Sequence, residues 1–466
     1  MSMEEVLADF QKAYYQTSAI ELAKCLSPTP PRDKPGRLYD FWRSSNEARV
    51  EHDVRNAVVN VLSGFAVPRA ETQGWTDVWM GFWRAVDKIL KAEQAQNQGK
   101  LLERQAVDVY DSWKDMTSTF MRHISNGSLP YWVIFTLYFI ANNLRKFAIQ
   151  ADAQLAKAKP VAFSAGFQDD IVATAPKSEK LEEASRVISR IFALCMSDRN
   201  PNMGESRKWA VYCISNVQFK VYFKLKKVSL SENLVKAIGA QADMPPWESY
   251  PAAHRCTYKY YVGVISFLQE DYTKAENALS EAWRICHAKS TKNRVLILTY
   301  LIPCRLITQH VVPSRQLLQE FPHLQTLFSD LVSSIRKGDL AGFDKALAEG
   351  EPEFVRRRIF LTLERSRDIA LRNLLRKVFL AAGYEDLKEG QTAKDRIRKS
   401  RIPLAHFAAA LRMGTAGSGS GQVVEDEEVE CLLANMIYKG LMKGYISREH
   451  AMVVLNKKGA FPGTGV

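Results

Sequence analysis

Residues 429–461, VECLLANMIYKGLMKGYISREHAMVVLNKKGAF, constrain this chain more than any other stretch. Apolar residues recur at helical spacing as far as Tyr438. A Gly-Tyr-Ile-Ser segment and an apolar, partly β-branched run then follow. Helical spacing that gives way to such runs predicts a long amphipathic helix feeding a short hairpin. That succession closes a winged helix, a unit that works by contact with nucleic acid, with another winged helix, or with both. Binding and assembly are therefore expected, and catalysis is not.

Upstream the chain reads as mainly α, in four stretches. Residues 1–150 form an N-terminal helical region. One helix is expected near 3–25, stopping at Ser27-Pro28, and another carries Trp75, Trp79, Phe82, Trp83 and Val86 as core. Residues 151–180, rich in Ala and Lys, read as a linker or mobile loop, which costs little stability. Residues 181–350 read as stacked hairpins resembling tetratricopeptide repeats. The clearest holds Cys256, Tyr260, Val264, Phe267 and Leu268 on one helix face and Ala275, Leu279, Ala282 and Cys286 on the next. Gly263 and the small Ala275 and Ala278 let those helices approach closely, and one hairpin needs neighbours to bury its face. Residues 351–466 form the winged-helix stretch, interrupted by TAGSGSGQ at 415–422. No Lys-Ser or Lys-Thr follows that loop and no strand precedes it, so it is not a phosphate-binding loop.

Several function classes are opposed by residues that are missing. The sequence has no H-x-H, H-E-x-x-H, G-x-S-x-G or Walker-type loop, so neither a catalytic nor a metal site is expected, and no cofactor. Seven cysteines without a C-x-x-C pair suit buried free thiols in a reducing compartment. The longest apolar run, YWVIFTLYFIA at 131–141, falls short of the roughly 20 residues a membrane span needs and reads as a core helix. The acidic, amphipathic N-terminus is unlike a secretory signal.

The formal net charge of +13 predicts affinity for polyanions. Between 352 and 401 fourteen cations face seven anions, so a net of +7 is concentrated in fifty residues. On one helix over 362–382, Arg365, Arg372 and Arg376 would fall close to one line, opposite Leu371, Leu374, Leu375, Val378 and Ala382. This arginine ridge, with Lys377 beside it and Lys394, Arg396, Arg398, Lys399 and Arg401 extending it, is the candidate nucleic-acid surface. The competing reading is a solvated face with arginines paired to Glu353, Glu364 and Asp368. Farther upstream, Lys220, Lys224 and Lys227 in QFKVYFKLKK would share a helical face able to receive an acidic peptide, or be an ordinary solvated face.

A helical-hairpin stack joined to a winged helix resembles the PCI architecture of the proteasome lid, the COP-nine signalosome and a translation initiation factor. The segments FVRRRIFLTLERSRDIALRNLLRKVFLA (354–381), RIPLAHFAAALR (401–412), VECLLANMIYKGLMKGYIS (429–447) and KKGAFPGTGV (457–466) resemble the signalosome subunit twelve-like proteins. So does residues 295–347, and related PCI subunits of the TREX-two export complex are similar. The resemblance implies a non-catalytic subunit of a nuclear complex, present also in the cytoplasm in one version, that couples transcription to mRNA splicing or export. Its implied partners are RNA or DNA, a second PCI protein, and a small acidic subunit of the DSS-one/Sem-one type, with no membrane. Pairing of winged helices would use the helix 427–440 with Tyr438, and Tyr445, Ile446, Val453, Val454 and Leu455 in the tail strands. The acidic subunit would suit Lys220, Lys224 and Lys227. The alternative is a scaffold of a proteolysis-linked complex of signalosome or lid type, without nucleic-acid binding.

Overall fold

Among the described residues helices carry almost all of the regular structure, and a single three-stranded sheet lies near the C-terminus. The structure is a computed structural model and describes residues 3–99, 104–158, 178–386, 396–415, 425–457 and 459–465. The chain packs as two units, residues 1–261 and 262–466. This division falls at none of the three boundaries between the four stretches read from the sequence. Of the expected linker, 151–158 belong to a helix and 179–180 open the next one, while 159–177 lie outside the described residues.

In the first unit the helices are α1 (Met3–Tyr15), α2 (Ala19–Cys25), α3 (Arg37–Arg43), α4 (Val50–Leu62), α5 (Arg69–Asn97) and α6 (Gln105–Ser125), then α7 (Thr136–Ala158), α8 (Glu179–Met196), α9 (Val211–Lys224) and α10 (Val228–Gly239). The single helix expected over 3–25 is two. Thr17 takes φ 47°, and Ser18 Oγ accepts from the Glu21 amide to start α2. Trp75, Trp79, Phe82, Trp83 and Val86 do form the core of α5, packed with Phe10, Phe41 and Trp113. Burying one such ring removes about 150–250 Å² from water, an upper-limit stabilisation of about 4–6 kcal/mol. The apolar run at 131–141 opens as a tight turn over Tyr131–Phe135 before α7. Leu137, Ile140 and Ala141 are buried as expected, whereas Tyr131 and Phe139 are exposed.

The second unit begins within α11 (Ala252–Leu268) and continues through α12 (Tyr272–Ile285), α13 (Thr291–Gln309), α14 (Arg315–Glu320), α15 (Pro322–Lys337), α16 (Leu340–Arg356), α17 (Phe360–Arg365) and α18 (Arg367–Ala381). The expected hairpin is present. A Cβ at Gly263 would sit 2.5 Å from Leu279 Cγ, so only glycine allows α11 this close to α12. Asp271 caps α12 by accepting from the Lys274 amide at 3.1 Å. Asn373 on α18 donates to the Ile335 carbonyl of α15 at 2.7 Å and locks these two helices together.

The winged helix closes the chain. It comprises α18, the strand β1 (Arg401–Pro403), α19 (Leu404–Thr415), α20 (Asp426–Tyr438), and the hairpin β2 (Gly444–Ser447) and β3 (Met452–Leu455). The antiparallel sheet has the order β1-β3-β2. Residues 416–422 of the Gly-Ser-rich stretch lie outside the described residues. Because side chains alternate along a strand, the sheet has two unlike faces. Ile402, Val453 and Leu455 are buried. Arg401, Val454 and Tyr445 are cross-strand partners and form a row on the other face.

Candidate nucleic-acid and partner surfaces

The arginine ridge does not exist as drawn. The helix expected over 362–382 breaks at the buried Ser366, whose hydroxyl donates to the Leu363 carbonyl. Arg365 therefore ends α17, where its Nη2 bonds Glu270 at 2.9 Å, which raises its pKa. Arg372 is 6% exposed, and its Nε and Nη2 donate to Asn373 Oδ1 at 3.3 and 3.2 Å. Burial, and then the charge of Arg376, lowers its pKa. Arg376 is half-buried with Nε unpartnered, and Lys377 donates to the Lys337 carbonyl. The angular arithmetic behind the ridge holds only along one unbroken helix.

Other cations of this block are also engaged. Arg356 and Arg357 share Glu353, whose carboxyl their hydrogen bonds hold at about 2, and Arg367 grips Asp344. Asp368 takes Lys439 at 2.6 Å instead of an arginine of its own block. Arg398 stacks over Tyr384 at 4.7 Å and Phe379 at 5.9 Å. Arg396, Lys399 and Arg401 are different. They are exposed, and none forms an ion pair with another described residue. The backbone is held at the last two: the Lys399 amide donates to Gly383, the Leu455 amide to the Ser400 carbonyl at 2.7 Å, and Arg401 pairs with Val454 in the sheet. Lys399 and Arg401 are two residues apart on extended chain and share a side. Arg401 opens the row that runs across Val454 to Tyr445. Lys394, the remaining predicted contact, lies outside the described residues.

The helix α20 has the opposite charge. Asp426, Glu427 and Glu428 are exposed in its first turn, where they suit the positive end of the helix dipole. Arg412 and Arg448 neutralise only Asp426 and Glu430, at 2.9 and 2.6 Å. Phosphate is repelled from this end of the winged helix. Of the expected partner residues, Tyr438 is 90% and Tyr445 61% exposed, and Ile446 and Val454 are half-buried. Val453 and Leu455 are buried in the unit's own core, so they cannot meet a partner. Their period-two positions put them beneath the sheet while Val454 stays outside. Cys431 on α20 is exposed, against the expectation of buried thiols that Cys25, Cys195, Cys213 and Cys304 do meet.

The three lysines of the first unit do not share a face either. The helix α9 ends at Lys224, Lys226 takes φ 59°, and Lys227 precedes α10 paired with Glu182 at 2.7 Å. Lys224 is exposed. Lys220 alone is set among cations missed in the sequence. Burial, then Arg145 and Lys146, lowers its pKa, and burial, then Lys220, lowers that of His254. Arg145 Nε and His254 Nδ1 are buried without partners, and no described carboxylate pairs with Arg145 or Lys220. No local spacing could have joined these residues, since they come from α7, α9 and α11.

Among the described residues no group of three His, Cys, Asp or Glu side chains is arranged to hold a metal ion, and no helix is long and apolar enough to cross a membrane. Residues 349–457 match the model of the PCI domain. The chain is 45% identical over 469 residues to a protein CSN12 homolog of Neurospora crassa, spanning both chains completely. It is likewise 45% identical to a protein CSN12 homolog of Gibberella zeae, again over the whole of both. It is 32% identical to the PCI domain-containing protein 2 of Xenopus laevis, over 76% of this chain and 79% of that one.

Proposed function

We propose, from the premise that this chain belongs to the PCI-domain family of the CSN12 homologues and PCI domain-containing protein 2, that it is a non-catalytic scaffold subunit of a nuclear complex that holds RNA, or DNA, by its phosphates during transcription-coupled splicing or export. The observation that carries the nucleic-acid reading is the trio Arg396, Lys399 and Arg401, exposed and free of ion pairs with described residues, with the backbone held at Lys399 by Gly383 and at Arg401 by the sheet. Localised, uncompensated charge of this kind is what phosphate binding requires. It replaces the α18 ridge as the contact surface.

Two protein partners fit the remaining surfaces. Tyr445 and Val454, with Tyr438, offer an apolar and aromatic patch to a second winged helix, and the short edge strand β2 is open to pairing. The unneutralised Arg145 and Lys220 offer anchorage to a small acidic subunit. Charge reversal tests the nucleic-acid reading. R396E/K399E/R401E is expected to abolish a gel shift of single-stranded RNA at low salt and to leave the thermal midpoint within about a degree. An unchanged shift selects the alternative, a scaffold of a proteolysis-linked complex, and recovery of cullins or proteasome subunits with the purified protein would establish it.

A further inference from the structure

We propose that the concavity formed by α8, the end of α9 and the start of α10 is a phosphate pocket, built to take a dianionic phosphomonoester such as a phosphorylated serine or threonine side chain. Glu182, Ser185, Arg186, Ser189, Arg190, Tyr222 and Lys227 line a cavity of about 420 Å³ there. Its charges are three cations and one carboxylate, and that carboxylate is occupied by Lys227 at 2.7 Å. Arg186 and Arg190 are exposed, lie one helical turn apart on α8, and form no ion pair with another described residue.

The hydroxyls supply the second half of the site. Gln218, fully buried on α9, donates through Nε2 to Ser185 Oγ at 3.1 Å and Ser189 Oγ at 2.9 Å. The same nitrogen lies 3.4 Å from the Ser185 carbonyl, which can only accept, and this fixes the amide orientation. Each serine oxygen already accepts, so its O–H proton is free to donate elsewhere. Ser189 and Tyr222 hydroxyls stand 3.5 Å apart, at the limit of a hydrogen bond to each other. An anionic oxygen placed beside them accepts from both. Two guanidinium forks and up to three hydroxyl donors around one cavity match the charge and acceptor count of a phosphomonoester, and charge-assisted bonds of this sort are the strong ones. The site is separate from Lys220, which is not in its lining.

Calorimetric titration of the full chain tests this, using inorganic phosphate, N-acetyl-O-phosphoserine amide and the unphosphorylated amide. Both phosphorylated probes are expected to bind at pH 7.5 and the neutral amide not to bind. Affinity should fall below about pH 6, as the phosphomonoester takes its second proton. Tighter binding of phosphoserine than of free phosphate would assign the pocket to a phosphorylated chain, and the reverse order to the free anion. R186Q/R190Q should weaken binding at least tenfold and S189A a few-fold, with unchanged thermal midpoints in phosphate-free buffer. The proposal is overturned if neither probe binds at 10 mM, or if R186Q/R190Q binds as the unaltered protein does.

Discussion

Neutralising Arg396, Lys399 and Arg401 gives the sharpest numerical test of the proposed phosphate-binding surface. Each cation that contacts a phosphate releases counterions from it, and for single strands the slope of log K against log salt is about −0.7 per contact. Arg396, Lys399 and Arg401 are all exposed and without ion pairs among the described residues, so all three count in full. Replacing them by glutamine should make the slope shallower by about 2.1 on single-stranded RNA. Between 50 and 200 mM salt that difference amounts to about an 18-fold change in the ratio of the two affinities. The variant should thus bind much more weakly at 50 mM and approach the unaltered protein at 200 mM. Fluorescence anisotropy with a labelled 20-nucleotide RNA at four salt concentrations reads the slope directly. R365Q should change it little, because Glu270 already holds that guanidinium. Equal slopes for the triple variant and the unaltered protein would refute the assignment, whatever the absolute affinities.

Other perturbations separate structure from contact. R372E should cost about 2 kcal/mol in urea unfolding, because it removes charge-assisted bonds to Asn373 from a buried position. Alanine at Gly263 should cost up to about 2 kcal/mol, because overpacking against Leu279 outweighs the roughly 1 kcal/mol gained in helix propensity. V453A should lose about 2 kcal/mol of stability. Y445A should stay within about 0.5 kcal/mol of the unaltered protein and yet weaken association with a second winged-helix subunit in a pull-down. The His254 pKa is depressed below 6.5 by burial and by Lys220, so the unfolded chain binds the extra proton first. Stability should therefore fall as pH drops from 6.5 toward the folded-state pKa, by at most about 1.4 kcal/mol per pH unit. Thermal midpoints at pH 7.5 and 5.5 should converge in H254N.

What could be read in advance was whatever depends on local periodicity. The aromatic face of α5, the close approach at Gly263 and the helix-to-hairpin ending are written in spacings of three, four and two residues, and the structure has them. The strand β1 was missed because Arg-Ile-Pro is too short to show a period, and its proline is tolerated only at a sheet edge. The basic block stands out in the sequence as a charge, with Arg396, Lys399 and Arg401 among its expected contacts, but which of its cations stay unpaired does not. Whether a cation is free depends on carboxylates far away in the chain: Glu270 takes Arg365, Asp344 takes Arg367, and Asp368 takes Lys439 from beyond the loop. A single buried serine at 366 was enough to break the line on which the ridge depended.

The acidic opening of α20 reaches beyond charge balance. In helix-turn-helix proteins the second helix lays its first residues against base edges in the major groove. In this chain those positions hold Asp426, Glu427 and Glu428. Carboxylates at the start of a helix oppose its entry into a phosphate-walled groove, which argues against base readout by α20. Under the proposed function, any choice among nucleic acids would then have to come from proteins assembled beside this chain.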